Sequence, residues 1–132
     1  GGSRNYAFFG ELMAVAAGAR GARGAVLHGY HRDTDMLEAT DFPVYSMGAY
    51  GQDQGVRGRV IEYRTTIEVG PVTVQPGDLV VADSDGVLVV PQQVENKAVT
   101  EALEKASIES NVREALREGA MAKDVFQRFG VL

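Results

Sequence analysis

The stretch that most constrains this chain runs from Phe9 to Leu37, FGELMAVAAGARGARGAVLHGYHRDTDML. Gly10-Glu11 reads as a helix start, and the apolar residues from Tyr6 to Ala17 (Tyr6, Phe9, Leu12, Met13, Ala16, Ala17) fall near the spacing of one helical face. Gly18 and the glycines of GARGARG end that segment, because glycine supplies the positive-φ residues of a tight return. Ala25-Val26-Leu27 is a short apolar run of the buried-strand type, ended by Gly29. Arg32 to Ala39 can hold a short helix with Asp33 as a plausible cap. Such a helix–turn–strand unit would fold Glu11 back towards Arg32-Asp33.

The remaining chain supplies scaffold. Phe42 to Met47 reads as a second strand, with Pro43 tolerated only near its beginning. Tyr50 to Gly58 is a glycine-rich loop. Arg59 to Tyr63, Thr66 to Val69 and Pro71 to Val74 suit short strands. Gln75-Pro76-Gly77-Asp78 is a turn, since Pro fixes φ and Gly accepts the reversed backbone. Leu79 to Ala82 and Val87 to Val90 flank Asp83-Ser84-Asp85-Gly86, a hairpin by its Asp-Gly signal. Pro91 to Glu118 reads as a long amphipathic helix carrying Val94, Ala98, Leu103, Ala106, Val112 and Leu116, stopped by Gly119. Asp124 to Phe129 makes a last short helix whose Val125, Phe126 and Phe129 could dock on the core. The pattern predicts an α/β fold with a mixed sheet and terminal helices.

Composition narrows the chemistry. At 132 residues the chain is one domain at most. A formal charge of -5 argues against a general nucleic-acid or anionic-membrane surface. With no cysteine and only two histidines, disulfides, thiolate metal sites and multi-imidazole sites are excluded, so a metal would rely mostly on oxygen ligands. No apolar run is long enough to span a bilayer. A cytoplasmic protein is the default. Gly1-Gly2-Ser3-Arg4-Asn5 leads into the first amphipathic segment with no preceding strand to pair with the later apolar runs.

Each chemical reading stands beside a bland one. Free amides at a helix start attract anions, and Gly10 lets a ligand approach the main chain; an ordinary helix start with Glu11 favoured by the dipole explains the same residues. Arg32 beside Asp33 can hold a substrate carboxylate while the acid holds a hard metal; a helix cap with a surface ion pair is the alternative. Asp35 and Glu38 fit either reading. His28 and His31 could act as acid–base groups, although a lone histidine is more often structural. Asp83-Ser84-Asp85-Gly86 lacks the later ligands of a calcium loop, so it is a turn. GARGARG is too short for a phosphate-binding loop.

Four motifs in order, Gly10-Glu11-Leu12-Met13, Gly29-Tyr30-His31-Arg32-Asp33, Phe42-Pro43-Val44 and Val74 to Val87, resemble the RraA-like family. That family includes the 4-hydroxy-4-methyl-2-oxoglutarate aldolases and the regulator of RNase E activity. The resemblance extends to the closing Phe129-Gly130-Val131-Leu132. It implies a swivelling β/β/α domain with flanking helices and a long C-terminal helix, forming a homotrimer or homohexamer with sites between subunits. It also implies that residues 1–132 are a single RraA-like domain lacking an N-terminal segment whose strands complete the sheet, with Gly1-Gly2-Ser3 just downstream of that segment. A separate chain could supply that half.

By the same resemblance the protein is a class II-type lyase acting on a 2-oxo acid with Mg2+ or Mn2+. Retro-aldol cleavage and oxaloacetate decarboxylation are the two reactions implied. Asp33 would hold the metal, Arg32 would bind the keto-acid and stabilise its enolate, and Glu11 would orient water or relay a proton. Gly10 and the amides of Leu12 and Met13 would receive the pyruvyl carboxylate, and Glu109 would reach a neighbouring subunit's site. His28 stands where many relatives have Asp. The alternative is a non-catalytic regulator that docks on a ribonuclease or another protein.

Overall fold

A computed structural model describes residues 1–131; Leu132, the last residue of the closing motif, lies outside them. The chain forms two compact units, Gly1–Pro91 and a helical unit from Gln92 onward.

The first unit opens with a strand, β1 (Ala7–Phe9), followed by α1 (Glu11–Gly18). The segment expected to be one amphipathic helix from Tyr6 is therefore divided at Gly10, and a strand does precede the later apolar runs. The reason is visible in burial. Ala7 and Phe9 alternate inward as strand residues, whereas Leu12, Met13 and Val15 on α1 are exposed and only Ala14 is buried. Two parallel pairs follow. β1 pairs with β3 (Tyr30–His31), and β2 (Ala25–Val26) pairs with β4 (Val44–Tyr45). Between β3 and β4 lies α2 (Thr34–Glu38).

The core of this unit sits where α1 and α2 meet the strands. Phe9, Ala14 and Leu37 are buried, with Ala25, Leu27, Phe42 and Val44 packed against them. The Phe9 and Phe42 rings stack at 6.3 Å between centroids. Full burial of a side chain such as Leu37 contributes about 1.5–3 kcal/mol.

Two hairpins complete the unit: β5 (Ile67–Val69) with β6 (Val72–Val74), and β7 (Leu79–Asp83) with β8 (Gly86–Val90). The mixed sheet is thus realised as four two-stranded pairs, two parallel and two antiparallel. Between the hairpins Gly77 takes φ 99° after Pro76, and the Asp78 N–H donates to the Gln75 carbonyl at 3.1 Å. At the β7–β8 turn the Asp83 carboxylate accepts from the Asp85 N–H at 2.8 Å, so its oxygen serves the turn. Arg59 to Tyr63, expected as a strand, forms none; Val60, Ile61 and Tyr63 are more than 80% exposed. β propensity there finds neither a ladder partner nor a surface to pack on.

The second unit contains α3 (Glu95–Arg117), preceded by a 3-10 turn at Gln92–Val94, and α4 (Ala122–Phe129). Gly119 at φ 93° ends α3, as expected. Of the expected apolar stripe only Val112 is buried, as is Val125 of α4; Leu103 and Phe126 are exposed. No helix among the described residues is long and apolar enough to cross a membrane.

Candidate functional site

α1 starts at Gly10, which has no side chain to cap the free amides of its first turn. The cap comes from elsewhere. Asp33 stands at the N-cap position of α2, yet its side chain makes no bond there. Its backbone lies in the left-handed region at φ 61°, ψ 42°, which costs a non-glycine residue of order 1–3 kcal/mol and marks a held conformation. The Asp33 carboxylate instead accepts the Glu11 N–H at 3.2 Å. The expected cap of the short helix is thus a cap of the other helix.

Arg32 is pinned by its backbone, whose N–H donates to the Phe9 carbonyl at 2.9 Å. Its Nε lies 3.8 Å from the Asp33 carboxylate in a half-exposed, loose ion pair. Both residues crowd Gly10. A Cβ there would meet Asp33 Oδ2 at 2.4 Å, Arg32 Cγ at 3.2 Å and Arg32 Nε at 3.3 Å. At φ -145° the Gly10 backbone suits any residue, so the glycine is required by close approach and not by its torsion.

These groups border an open cleft of about 270 Å³, lined on one side by Gly10, Leu12, Met13, Arg32 and Asp33. Across it lie Asp53, Gln54 and Gly55. That loop is held against β1 by the Ala7 N–H, which donates to the Gln52 carbonyl at 2.7 Å. Arg57 stands 3.9 Å from the Asp53 carboxylate. Asp53, Gln54 and Gly55 were not singled out from sequence. The glycine-rich loop after the second strand was the available signal, and nothing in its composition said that it closes over the helix start.

Five of the expected residues, Gly10, Leu12, Met13, Arg32 and Asp33, meet at this cleft. Glu11 supplies a backbone amide, and its side chain does not line the cavity. The Leu12 N–H has no acceptor among the described residues, whereas the Met13 N–H points to the Gly10 carbonyl at 3.1 Å. Glu109 lies on α3 in the helical unit, 3.7 Å from Lys105. Both histidines are structurally engaged. The His31 ring contacts the hydroxyls of Ser46 at 2.7 Å and Thr34 at 3.1 Å. The His28 ring lies 3.3 Å from the Glu68 carbonyl.

The described residues contain no group of three or more His, Cys, Asp or Glu able to cage a metal. They do fit a hard divalent cation of the Mg2+ type, which commonly takes one or two carboxylates and fills its shell with water and substrate oxygens. Asp33 Oδ2 is engaged by the Glu11 N–H, and no protein group among the described residues hydrogen-bonds Oδ1.

The sequence profile of the RraA-like family, described as Aldolase/RraA, matches residues 1–89. The chain belongs to the RraA-like family. A Hahella chejuensis protein named "Putative 4-hydroxy-4-methyl-2-oxoglutarate aldolase" is 36% identical over 92 residues, covering 70% of this chain and 56% of that protein. A crystal structure of an uncharacterised Pseudomonas syringae protein superposes with a TM-score of 0.92 at 29% identity, over 97% of this chain and 60% of that one. RraAS2 of Streptomyces coelicolor, described as an unusual member of the RNase ES inhibitor RraA family, superposes with a TM-score of 0.77 at 27% identity, over 86% and 58% of the two chains. This RraA-like chain therefore spans a little over half the length of each of these three relatives.

Proposed function

We propose that this RraA-like protein is a divalent-metal-dependent carbon–carbon lyase whose cleft holds the pyruvyl end of a 2-oxo acid. Retro-aldol cleavage of 4-hydroxy-4-methyl-2-oxoglutarate-like substrates and decarboxylation of oxaloacetate both place negative charge on the same keto oxygen. One observation carries the reading: a guanidinium, a carboxylate and an open helix-start amide share one cleft, with Asp33 held by Glu11 N–H. The likeness to a protein named as an aldolase supports it.

Asp33 would hold Mg2+ or Mn2+ through Oδ1, its other oxygen being engaged by the helix. When bound, that ion supplies Lewis acidity at the keto oxygen. Arg32 binds the substrate carboxylate and places fixed positive charge where the enolate develops, a contribution that grows as water is excluded. The Leu12 N–H donates to the same carboxylate, with the Met13 N–H adjoining it. Glu11 would orient water or relay a proton from the rim, and Glu109 would act on a neighbouring subunit's site in a homotrimer or homohexamer. A lactate-dehydrogenase-coupled assay on oxaloacetate tests the reading. Pyruvate release that stops on chelation and returns with Mg2+ is the expected result; no metal-dependent release from either substrate would refute it.

The likeness to structures described as RNA-processing inhibitors favours a second reading, a regulator that docks on a ribonuclease. Inhibition of a ribonuclease by a protein without lyase activity would select it.

A further inference from the structure

Retro-aldol cleavage needs a group that decarboxylation does not. Loss of carbon dioxide from oxaloacetate asks only that the enolate be stabilised. Cleavage of a 4-hydroxy-2-oxo acid also requires a base to take the proton of the hydroxyl. Among the residues that line the open cleft at the start of α1, two carry a side chain able to accept that proton, Asp33 and Asp53. Asp33 is already engaged. Its Oδ2 accepts the Glu11 N–H at 3.2 Å and lies 3.8 Å from Arg32 Nε, and the lyase reading gives its other oxygen to the metal. The Gln54 amide has no useful basicity, and the Glu11 side chain does not line the cleft. Asp53 remains.

The segment that carries Asp53 is bonded to both strands that lead into the opposite wall. The Tyr50 N–H donates to the His31 carbonyl at 2.8 Å, on the strand that runs into Arg32-Asp33. The Ala7 N–H donates to the Gln52 carbonyl at 2.7 Å, on the strand that runs into Gly10. A parallel bridge pairs Asp53 itself with Ala7, which is buried. The far wall is thus fixed to the near wall through backbone, the kind of rigid support a catalytic group needs. Within the loop, a Cβ on Gly55 would stand 2.8 Å from Asp53 Oδ1, so the glycine leaves room for the carboxylate. Arg57 Nη1 donates to the Asp53 carbonyl at 3.4 Å and lies 3.9 Å from Oδ1. That ion pair is half-exposed and weak, and Arg57 is not part of the cleft lining.

We infer that Asp53 is the general base of the retro-aldol step, taking the hydroxyl proton of a 4-hydroxy-2-oxo acid whose pyruvyl end lies on Arg32 and the helix-start amide. The inference rests on the lyase reading and narrows its substrate to a 2-oxo acid with a hydroxyl on the carbon to be released. The O–H proton passes to the Asp53 carboxylate and the carbinol carbon becomes a carbonyl. Its bond to the neighbouring methylene breaks, and that electron pair forms the pyruvate enolate. A proton delivered by Glu11 or water then returns to the methylene carbon, and Asp53 gives its own proton to solvent. No oxidant, reductant or further reactant is consumed.

Both reactions release pyruvate, so one coupled assay reads them. With saturating Mg2+, kcat is measured for the 132-residue wild-type and Asp53→Asn proteins on 4-hydroxy-4-methyl-2-oxoglutarate and on oxaloacetate. Asparagine keeps the shape of the side chain and cannot take the proton. The ratio of cleavage kcat to decarboxylation kcat should fall by about 10²-fold or more in Asp53→Asn. General damage to the cleft lowers both reactions and leaves the ratio where it was. If circular dichroism shows Asp53→Asn unfolded, Asp53→Ser takes its place. An unchanged ratio in the folded variant overturns the inference and leaves the lyase reading standing. A wild-type protein that decarboxylates oxaloacetate without cleaving the hydroxy acid does the same. Absence of pyruvate from either substrate overturns both.

Discussion

Gly10→Ala isolates the contact on which the candidate site is built. The new Cβ would stand 2.4 Å from Asp33 Oδ2, while ordinary contact begins near 3.4 Å. The carboxylate must therefore retreat by about 1 Å, and its 3.2 Å bond from the Glu11 N–H cannot survive that movement. Loss of a helix cap costs about 0.5–2 kcal/mol. A misplacement of about 1 Å in a catalytic constellation costs about 10²-fold in rate. Urea denaturation and the coupled pyruvate assay read the two effects separately. Asp33→Gly is the partner variant, since glycine tolerates φ 61° and removes the carboxylate. In that background Gly10→Ala should cost far less, because the nearest remaining obstacle is Arg32 Cγ at 3.2 Å. Additive losses across the cycle, or an unaffected Gly10→Ala protein, would refute the proposed coupling.

Other expectations concern the frame around the site. Leu37→Ala opens the small core beneath α1 and α2 and should lower stability by about 2–5 kcal/mol in urea denaturation. Gly29→Ala would set a Cβ 2.0 Å from the Phe8 ring, so that ring must swing away; a loss of about 1–3 kcal/mol is expected, measured the same way. Arg32→Lys keeps the charge and loses the planar fork, so activity should fall steeply while the denaturation midpoint stays near wild type, the ion pair to Asp33 being half-exposed and weak.

Much of the fold was legible where turn chemistry is local. Asp85-Gly86 sets the β7–β8 hairpin and Pro76-Gly77 the turn between the two hairpins, because those residues dictate the backbone by themselves. The strand β1 was hidden because Tyr6 to Ala17 satisfies a helical period, and only the pairing with β3, where Ala7 meets Tyr30 and Phe9 meets His31, decides for extended backbone. Arg59 to Tyr63 erred in the opposite sense: strand-forming residues without a neighbour. At the site, the meeting of Gly10 with Arg32-Asp33 could be anticipated from the return of the chain. The left-handed torsion of Asp33, which sends its carboxylate to α1, could not, since aspartate is an equally good cap for the helix that it precedes. The approach of Asp53, Gln54 and Gly55 depends on a bridge to Ala7 across most of the first unit's crossovers, a long-range contact with no local signature.

Isothermal titration of oxalate, a mimic of the pyruvate enolate, into wild-type and Arg32→Ala proteins with and without Mg2+ measures the central claim most directly. The account predicts saturable binding that requires both Mg2+ and Arg32, with each loss weakening affinity while circular dichroism is unchanged. Equal oxalate affinity in the folded Arg32→Ala protein would contradict it.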